Sequence, residues 1–209
     1  MILDNYYWWF KAALPEKLCD EILEYGKSQT PERAWTGGYE KEKDDNLDFQ
    51  VKKRKSKIAW LQENWIYKEI NPLIHEANRM ADWNFEWSWN EKCQFTRYDE
   101  GDFYGWHSDS YSKGYQKKHK GDVLEGKIRK LSMTVSLSDS KDYEGGDLQF
   151  DFRNDKDYEF AKKEYHICEE IIPKGSVIIF PSFVWHRVTP VTKGTRYSLV
   201  NWSCGEPWR

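Results

Sequence analysis

Apolar residues recur at helical spacing in two stretches near the start of the chain, and at every second position over most of the remainder. Leu18, Ile22 and Tyr25, joined by Cys19 and Leu23, share one face. This spacing predicts a helix opened at Pro15, whose fixed φ suits a first turn, and stopped at Gly26. A second amphipathic run from about Asn64 to Ala81 aligns Ile66, Ile70, Leu73, Ile74 and Ala77, and Pro72 is expected to kink or split it. Between the two, Thr30 to Lys57 is polar and charged and reads as a long loop. After Trp83 the period drops to two. Strands are predicted at Phe85–Tyr98, Ile128–Ser138, Asp147–Phe152, Tyr165–Ile172, Ser176–Phe180, Trp185–Val191 and Thr195–Ser203, joined by turns rich in Gly, Pro, Asp and Ser. Such a run implies a mainly β fold, a sandwich or closed barrel with α-helices packed outside. The chain is expected to form one domain over residues 1–209, with helical support over about 1–83 and a β-barrel over about 84–209.

Composition sharpens this picture. Twelve tryptophans and an aromatic share of 17% call for a heavy aromatic interior, and a charged share of 32% for a well-solvated surface, which together exclude disorder over the whole length. The net charge of −3 offers no general attraction to nucleic acid, and the basic run Lys52-Lys53-Arg54-Lys55, preceded by acidic residues from Glu40 to Asp45, reads as a solvated loop. Four cysteines (Cys19, Cys93, Cys168 and Cys204) lie far apart without a C-x-x-C pair, so they are expected as reduced core residues. The N-terminus has no signal-peptide pattern, and no apolar stretch approaches the roughly 20 residues of a membrane span. A cytoplasmic protein with no membrane or nucleic-acid partner is expected.

One constellation carries chemistry. His107-Ser108-Asp109 places an imidazole and a carboxylate at i and i+2, which on an extended strand project from the same face. His186 is the best third ligand. Two histidines and one carboxylate on one face of an octahedral ion make the facial triad of non-haem Fe(II) oxygenases. His75, His119 and His166 lack a carboxylate at i+2 and have ordinary structural readings. Specificity comes from Arg196, ten residues after His186 and followed at i+2 by Ser198.

With these residues in place, the stretch from roughly Gln94 to Trp202 resembles the iron(II)- and 2-oxoglutarate-dependent oxygenases, in particular the prolyl 4-hydroxylase-like branch. The resemblance implies a double-stranded β-helix (jelly-roll) barrel, Fe(II) held by His107, Asp109 and His186, and 2-oxoglutarate and dioxygen as co-substrates. It implies that Arg196 binds the C5 carboxylate of 2-oxoglutarate, with Tyr98, Ser132, Ser198 and Trp202 beside the co-substrate and Tyr104 facing the substrate. The implied reaction decarboxylates 2-oxoglutarate to succinate and hydroxylates an unactivated C–H bond; family members that halogenate lack the carboxylate present here as Asp109. A protein or peptide substrate is favoured, with a free amino acid or small metabolite as the alternative. Nucleic-acid repair oxygenases carry a second arginine where this chain has Trp202, which argues against that substrate. A zinc hydrolase or a non-catalytic cupin-like module would have no use for Arg196. The segment Ser110 to Gly126, rich in lysine and glycine and directly after Asp109, reads as a lid or a plain surface loop.

Overall fold

The computed structural model describes residues 3–34, 53–110, 114–115, 123–152 and 165–208. In chain order the elements are β1 (Trp8–Phe10), α1 (Glu16–Ser28), β2 (Glu32–Arg33), β3 (Arg54–Lys55), β4 (Lys57–Leu61), α2 (Asn64–Met80), β5 (Trp89–Asn90), β6 (Cys93–Tyr98) and β7 (Phe103–His107). They continue with β8 (Ile128–Ser136), β9 (Tyr143–Gly145), β10 (Leu148–Asp151), β11 (His166–Ile167), β12 (Val177–Pro181), β13 (Trp185–Val188), β14 (Val191–Gly194) and β15 (Arg196–Gly205). A major sheet runs in the order β1-β12-β8-β15-β6-β4-β2, with β5 paired to β15, and a minor sheet in the order β11-β10-β13-β7-β3. Described pairings within both sheets are antiparallel. The two sheets face each other as a jelly roll. Among the described residues they do not close into the expected barrel.

Alternation along the strands of the major sheet sorts its two faces. Leu131, Met133 and Val135 on β8, with Val177, Ile179, Leu199 and Phe95, form one core with Ile22 of α1 and Ile66, Ile70, Ile74 and Ala77 of α2. Each fully buried isoleucine stabilises the fold by about 1.5–3 kcal/mol relative to exposure. The opposite face carries Ile178 and Phe180, which pack on Leu148 and Phe150 of the minor sheet, and the polar row Gln94, Thr96, Ser132, Ser198 and Arg196, all buried. A polar row inside a β-sandwich has to enclose something polar.

Several expectations from the sequence are corrected. Gly26 does not stop α1, which runs on to Ser28; a Cβ at position 26 would strike the Phe95 ring, so this glycine lets the helix lie against the sheet. Pro72 does not split α2, which is continuous from Asn64 to Met80. Pro72 sits on the exposed side, where water can serve the Lys68 carbonyl that the ring deprives of a partner. The expected loop from Thr30 to Lys57 contains β2 and β3 where it is described, and the N-terminal third adds β1 to β4 to the sheets rather than only helices. Three of these, β1, β2 and β3, have two or three residues and are too short to show a period. The predicted strand Tyr165–Ile172 is β11 followed by a 3-10 turn at Glu169–Ile171. All four cysteines are free and buried, as expected. Most of the Ser110–Gly126 segment, and with it the lid expectation, lies outside the described residues. No described helix is long and apolar enough to cross a membrane.

Candidate metal centre and co-substrate cavity

His107 and His186 are direct cross-strand partners on β7 and β13, with ring centroids 4.1 Å apart. Each ring is oriented by the same device. His107 Nδ1 lies 2.8 Å from the Gly105 carbonyl and His186 Nδ1 lies 3.0 Å from the Val184 carbonyl, so both Nδ1–H groups donate backwards two residues and both Nε2 lone pairs point inward. Asp109 receives them: its Oδ1 is 3.7 Å from His107 Nε2 and its Oδ2 is 3.5 Å from His186 Nε2. Asp109 lies just past the end of β7, in a turn rather than on the expected strand. Its backbone N–H and that of Ser110 both donate to the Ser182 carbonyl, and this clamp, not strand alternation, turns the carboxylate back to the histidines. One ligand atom from each of the three lies within 4.8 Å of the others.

The electrostatics leave Asp109 and His107 in the states a metal requires. Burial opposes ionisation of Asp109, but His186, His107 and Arg129 outweigh it and bring its pKa down to about 2. Burial, then the neighbouring His186, holds the His107 pKa well below its ordinary value, so the ring is neutral. Trp202 Nε1 faces the same carboxylate and helps lower its pKa, though it stops short of hydrogen-bond geometry. Ser132 was expected against the co-substrate; its hydroxyl instead donates to Asp109 Oδ2 at 2.7 Å and meets Ser182 Oγ at 2.9 Å. Thr134, two residues along β8, lines the cavity in its place.

From the triad a cavity runs between the sheets to Arg196, and Tyr98, Ser198 and Trp202 are among its walls. Arg196 is 3% exposed, pairs across strands with Tyr98 and lies 5.6 Å over its ring. Among the described residues it has no carboxylate partner. The turn at Gly146, with φ of +65°, gives it room: a Cβ there would come within 2.9 Å of Arg196 Cδ.

Tyr104 also lines the cavity, but not as a free substrate platform. A register shift between β7 and β13 brings Tyr104 and His107, three residues apart, to the same face, and their rings stack at 3.5 Å and 13°. Arg54 covers its other face at 4.4 Å. Two arginines at the site were not anticipated. Arg54 had been read as part of a solvated basic run. Arg129 belongs by strict alternation with Leu131 on the helix side, but the register shift that pairs Cys204 with Arg129 and Ser203 with Leu131 turns it inward. There it pairs with both oxygens of Glu91 at 2.6 and 2.7 Å, stacks 3.7 Å from the Trp202 ring and stands 3.9 Å from Asp109.

A two-histidine, one-carboxylate centre between the sheets of a jelly roll defines a non-haem metal oxygenase class. Residues 93–204 match the 2OG-Fe(II) oxygenase superfamily, and the chain belongs to it. Over 108 residues it is 37% identical to a PKHD-type hydroxylase of Alteromonas mediterranea, covering 52% of this chain and 41% of that one. The chain thus spans about two fifths of that relative's length. Two solved structures show the same fold. A Pseudomonas putida prolyl-4-hydroxylase superposes with a TM-score of 0.66 at 17% identity, covering 96% of this chain and 93% of that one. A viral collagen prolyl hydroxylase from Paramecium Bursaria Chlorella virus-1, in its 2OG complex, gives 0.62 at 18%, covering 97% of each.

The cofactor and co-substrates of the superfamily are Fe(II), 2-oxoglutarate and dioxygen, and the residues here fit them. Three inward donors of the right type surround one point, and a buried guanidinium with no carboxylate partner among the described residues lines the same cavity.

Proposed function

We propose that this protein is an Fe(II)- and 2-oxoglutarate-dependent hydroxylase of prolyl 4-hydroxylase type, acting on a peptide or protein. The observation that carries this reading is the pairing, in one cavity, of the His107, Asp109 and His186 cluster with Arg196, which has no carboxylate partner among the described residues. A zinc hydrolase would need the metal site but not that arginine. The relatives and the fold neighbours, named as hydroxylases and prolyl hydroxylases, support the reaction type.

Iron with bound 2-oxoglutarate supplies the oxidising power to hydroxylate an unactivated C–H bond, with succinate and CO2 as the other products. The protein's part is positioning. His107, His186 and Asp109 would hold the ion, with Ser132 and the Ser182 carbonyl fixing Asp109. Arg196 would hold the C5 carboxylate, for which its guanidinium fork is matched, with Tyr98 and Ser198 lining the same cavity. Leu148, Phe180 and Val188 wall the cavity with apolar surface that excludes water from the reacting centre.

The test is mass spectrometry of proline-containing peptides incubated with the protein, Fe(II), ascorbate and 2-oxoglutarate. A product heavier by one oxygen, formed with equimolar succinate, is expected. Succinate with hydroxylation confined to free amino acids would replace the peptide by a small-molecule substrate.

A further inference from the structure

We infer that the cavity has a second anion site, centred on Arg54, which takes a carboxylate of the primary substrate close to the carbon that reacts. This deepens the proposed function and rests on it. Arg54 is 5% exposed and lines the same cavity as the metal ligands. It lies on β3 opposite Tyr104, and three contacts fix its guanidinium: Nε donates to Ser56 Oγ at 2.9 Å, Nη2 donates to Gln94 Oε1 at 2.8 Å, and the plane covers the Tyr104 ring. Tyr104 in turn stacks on His107, so Arg54 stands one aromatic ring away from a metal ligand.

Those hydrogen bonds use two of five N–H donors. Neither acceptor is charged, and among the described residues no carboxylate pairs with Arg54. Arg129 shows what a structural arginine looks like in the same site, with both oxygens of Glu91 on its guanidinium. A buried cation held rigid by neutral groups and left without its counter-ion is built to receive one from outside.

Charge balance points the same way. Arg129 and Glu91 neutralise each other, and a ferrous ion cancels the dianion of 2-oxoglutarate. Asp109 then offsets one of Arg54 and Arg196, and one positive charge remains for the substrate to meet.

The far end of 2-oxoglutarate is assigned to Arg196, which leaves Arg54 for another anion. Arg196 sits by Tyr98 and Arg54 by Gln94, positions four residues apart on β6, about 13 Å at roughly 3.3 Å per residue. The carboxylate therefore belongs to the molecule being hydroxylated. It has two sources, a chain-terminal carboxyl on the reacting residue or an acidic side chain beside it, and both present the planar anion that a guanidinium fork matches.

The experiment titrates the anaerobic Fe(II) and 2-oxoglutarate complex, by calorimetry, with N-acetylproline, its uncharged amide, and N-acetylglutamyl-proline amide. At least one of the two anions should bind ten times or more tightly than N-acetylproline amide, and which one does so identifies the source. Arg54→Met should abolish that preference, Arg54→Lys should restore part of it, and the 2-oxoglutarate titration of both variants should stay within twofold of the parent. Thermal melting confirms that each variant is folded. Equal affinity for charged and uncharged probes in the parent overturns the inference, as does a preference that survives Arg54→Met. A loss of 2-oxoglutarate affinity in Arg54→Met overturns it too, by assigning Arg54 to the co-substrate. Succinate formation is measured alongside: a protein that prefers the anion through Arg54 but makes no succinate keeps the anion site and loses the hydroxylase reading.

Discussion

The Ser132 hydroxyl donates a 2.7 Å hydrogen bond to Asp109 Oδ2, the oxygen that also faces His186 Nε2 at 3.5 Å. The serine thus selects the rotamer in which the carboxylate serves a metal. Partners of this kind typically contribute 10–100-fold to metal affinity. Ser132→Ala is expected to weaken Fe(II) binding by about that factor, with the far-UV circular dichroism unchanged. A titration matching the parent would show that the Ser182 clamp positions Asp109 unaided.

Arg196 is buried with no carboxylate partner among the described residues, so its removal separates binding from folding. Arg196→Met should raise the 2-oxoglutarate dissociation constant by roughly thirtyfold to several thousandfold, the equivalent of about 2–5 kcal/mol. Arg196→Lys should fall between, because an ammonium keeps the charge and loses the planar fork. The melting temperature of Arg196→Met should hold or rise, since a desolvated charge has been removed. A fall in melting temperature with normal 2-oxoglutarate binding would make Arg196 structural.

Gly146 connects backbone conformation to that arginine. Its φ of +65° disfavours any L side chain, and a Cβ would press on Arg196 Cδ and Val191 Cγ2. Gly146→Ala should cost about 1–2 kcal/mol of stability for the left-handed backbone alone. It should also raise the 2-oxoglutarate requirement by displacing the guanidinium. Urea unfolding and 2-oxoglutarate titration read the two effects separately.

The pH dependence of the metal-free protein follows from the depressed pKa values of His107 and Asp109. Both groups bind protons more readily in the unfolded chain, so stability rises with pH where that chain is protonated. The His107 contribution is complete above about pH 6.5 and is lost as pH falls toward its folded value. The Asp109 contribution is lost between about pH 4 and its folded pKa of about 2. In chelator, the urea midpoint should decline from pH 7.5 to 5, and His107→Asn should flatten that decline. A variant as steep as the parent would place the titrating group elsewhere.

Much of this was legible in the sequence because burial imposes a period. The apolar faces of α1 and α2, the long strands β8 and β15, and His107, His186 and Arg196 lie where spacing put them, while Asp109 joins the two histidines through a backbone clamp rather than through alternation. What escaped depends on breaks in that period. The register shift in β7 stacks Tyr104 on His107, and the one in β8 turns Arg129 toward Asp109, and alternation predicts the opposite side for each. Arg54 escaped because a two-residue strand carries no pattern and its lysine neighbours made it look solvated. The Ser132 hydrogen bond to Asp109 escaped because a strand face does not say which of two nearby groups a hydroxyl meets.

The most direct test of the central claim measures succinate formed from 2-oxoglutarate by metal-free protein reconstituted with Fe(II) or with Zn(II), beside the His186→Ala variant. Slow succinate formation is expected with Fe(II) even without substrate, none with Zn(II), and none in the variant, which keeps only two of the three candidate ligands. Succinate formation by Zn(II) protein, or Fe(II) protein that binds the metal and leaves 2-oxoglutarate intact in the presence of oxygen and reductant, would contradict it.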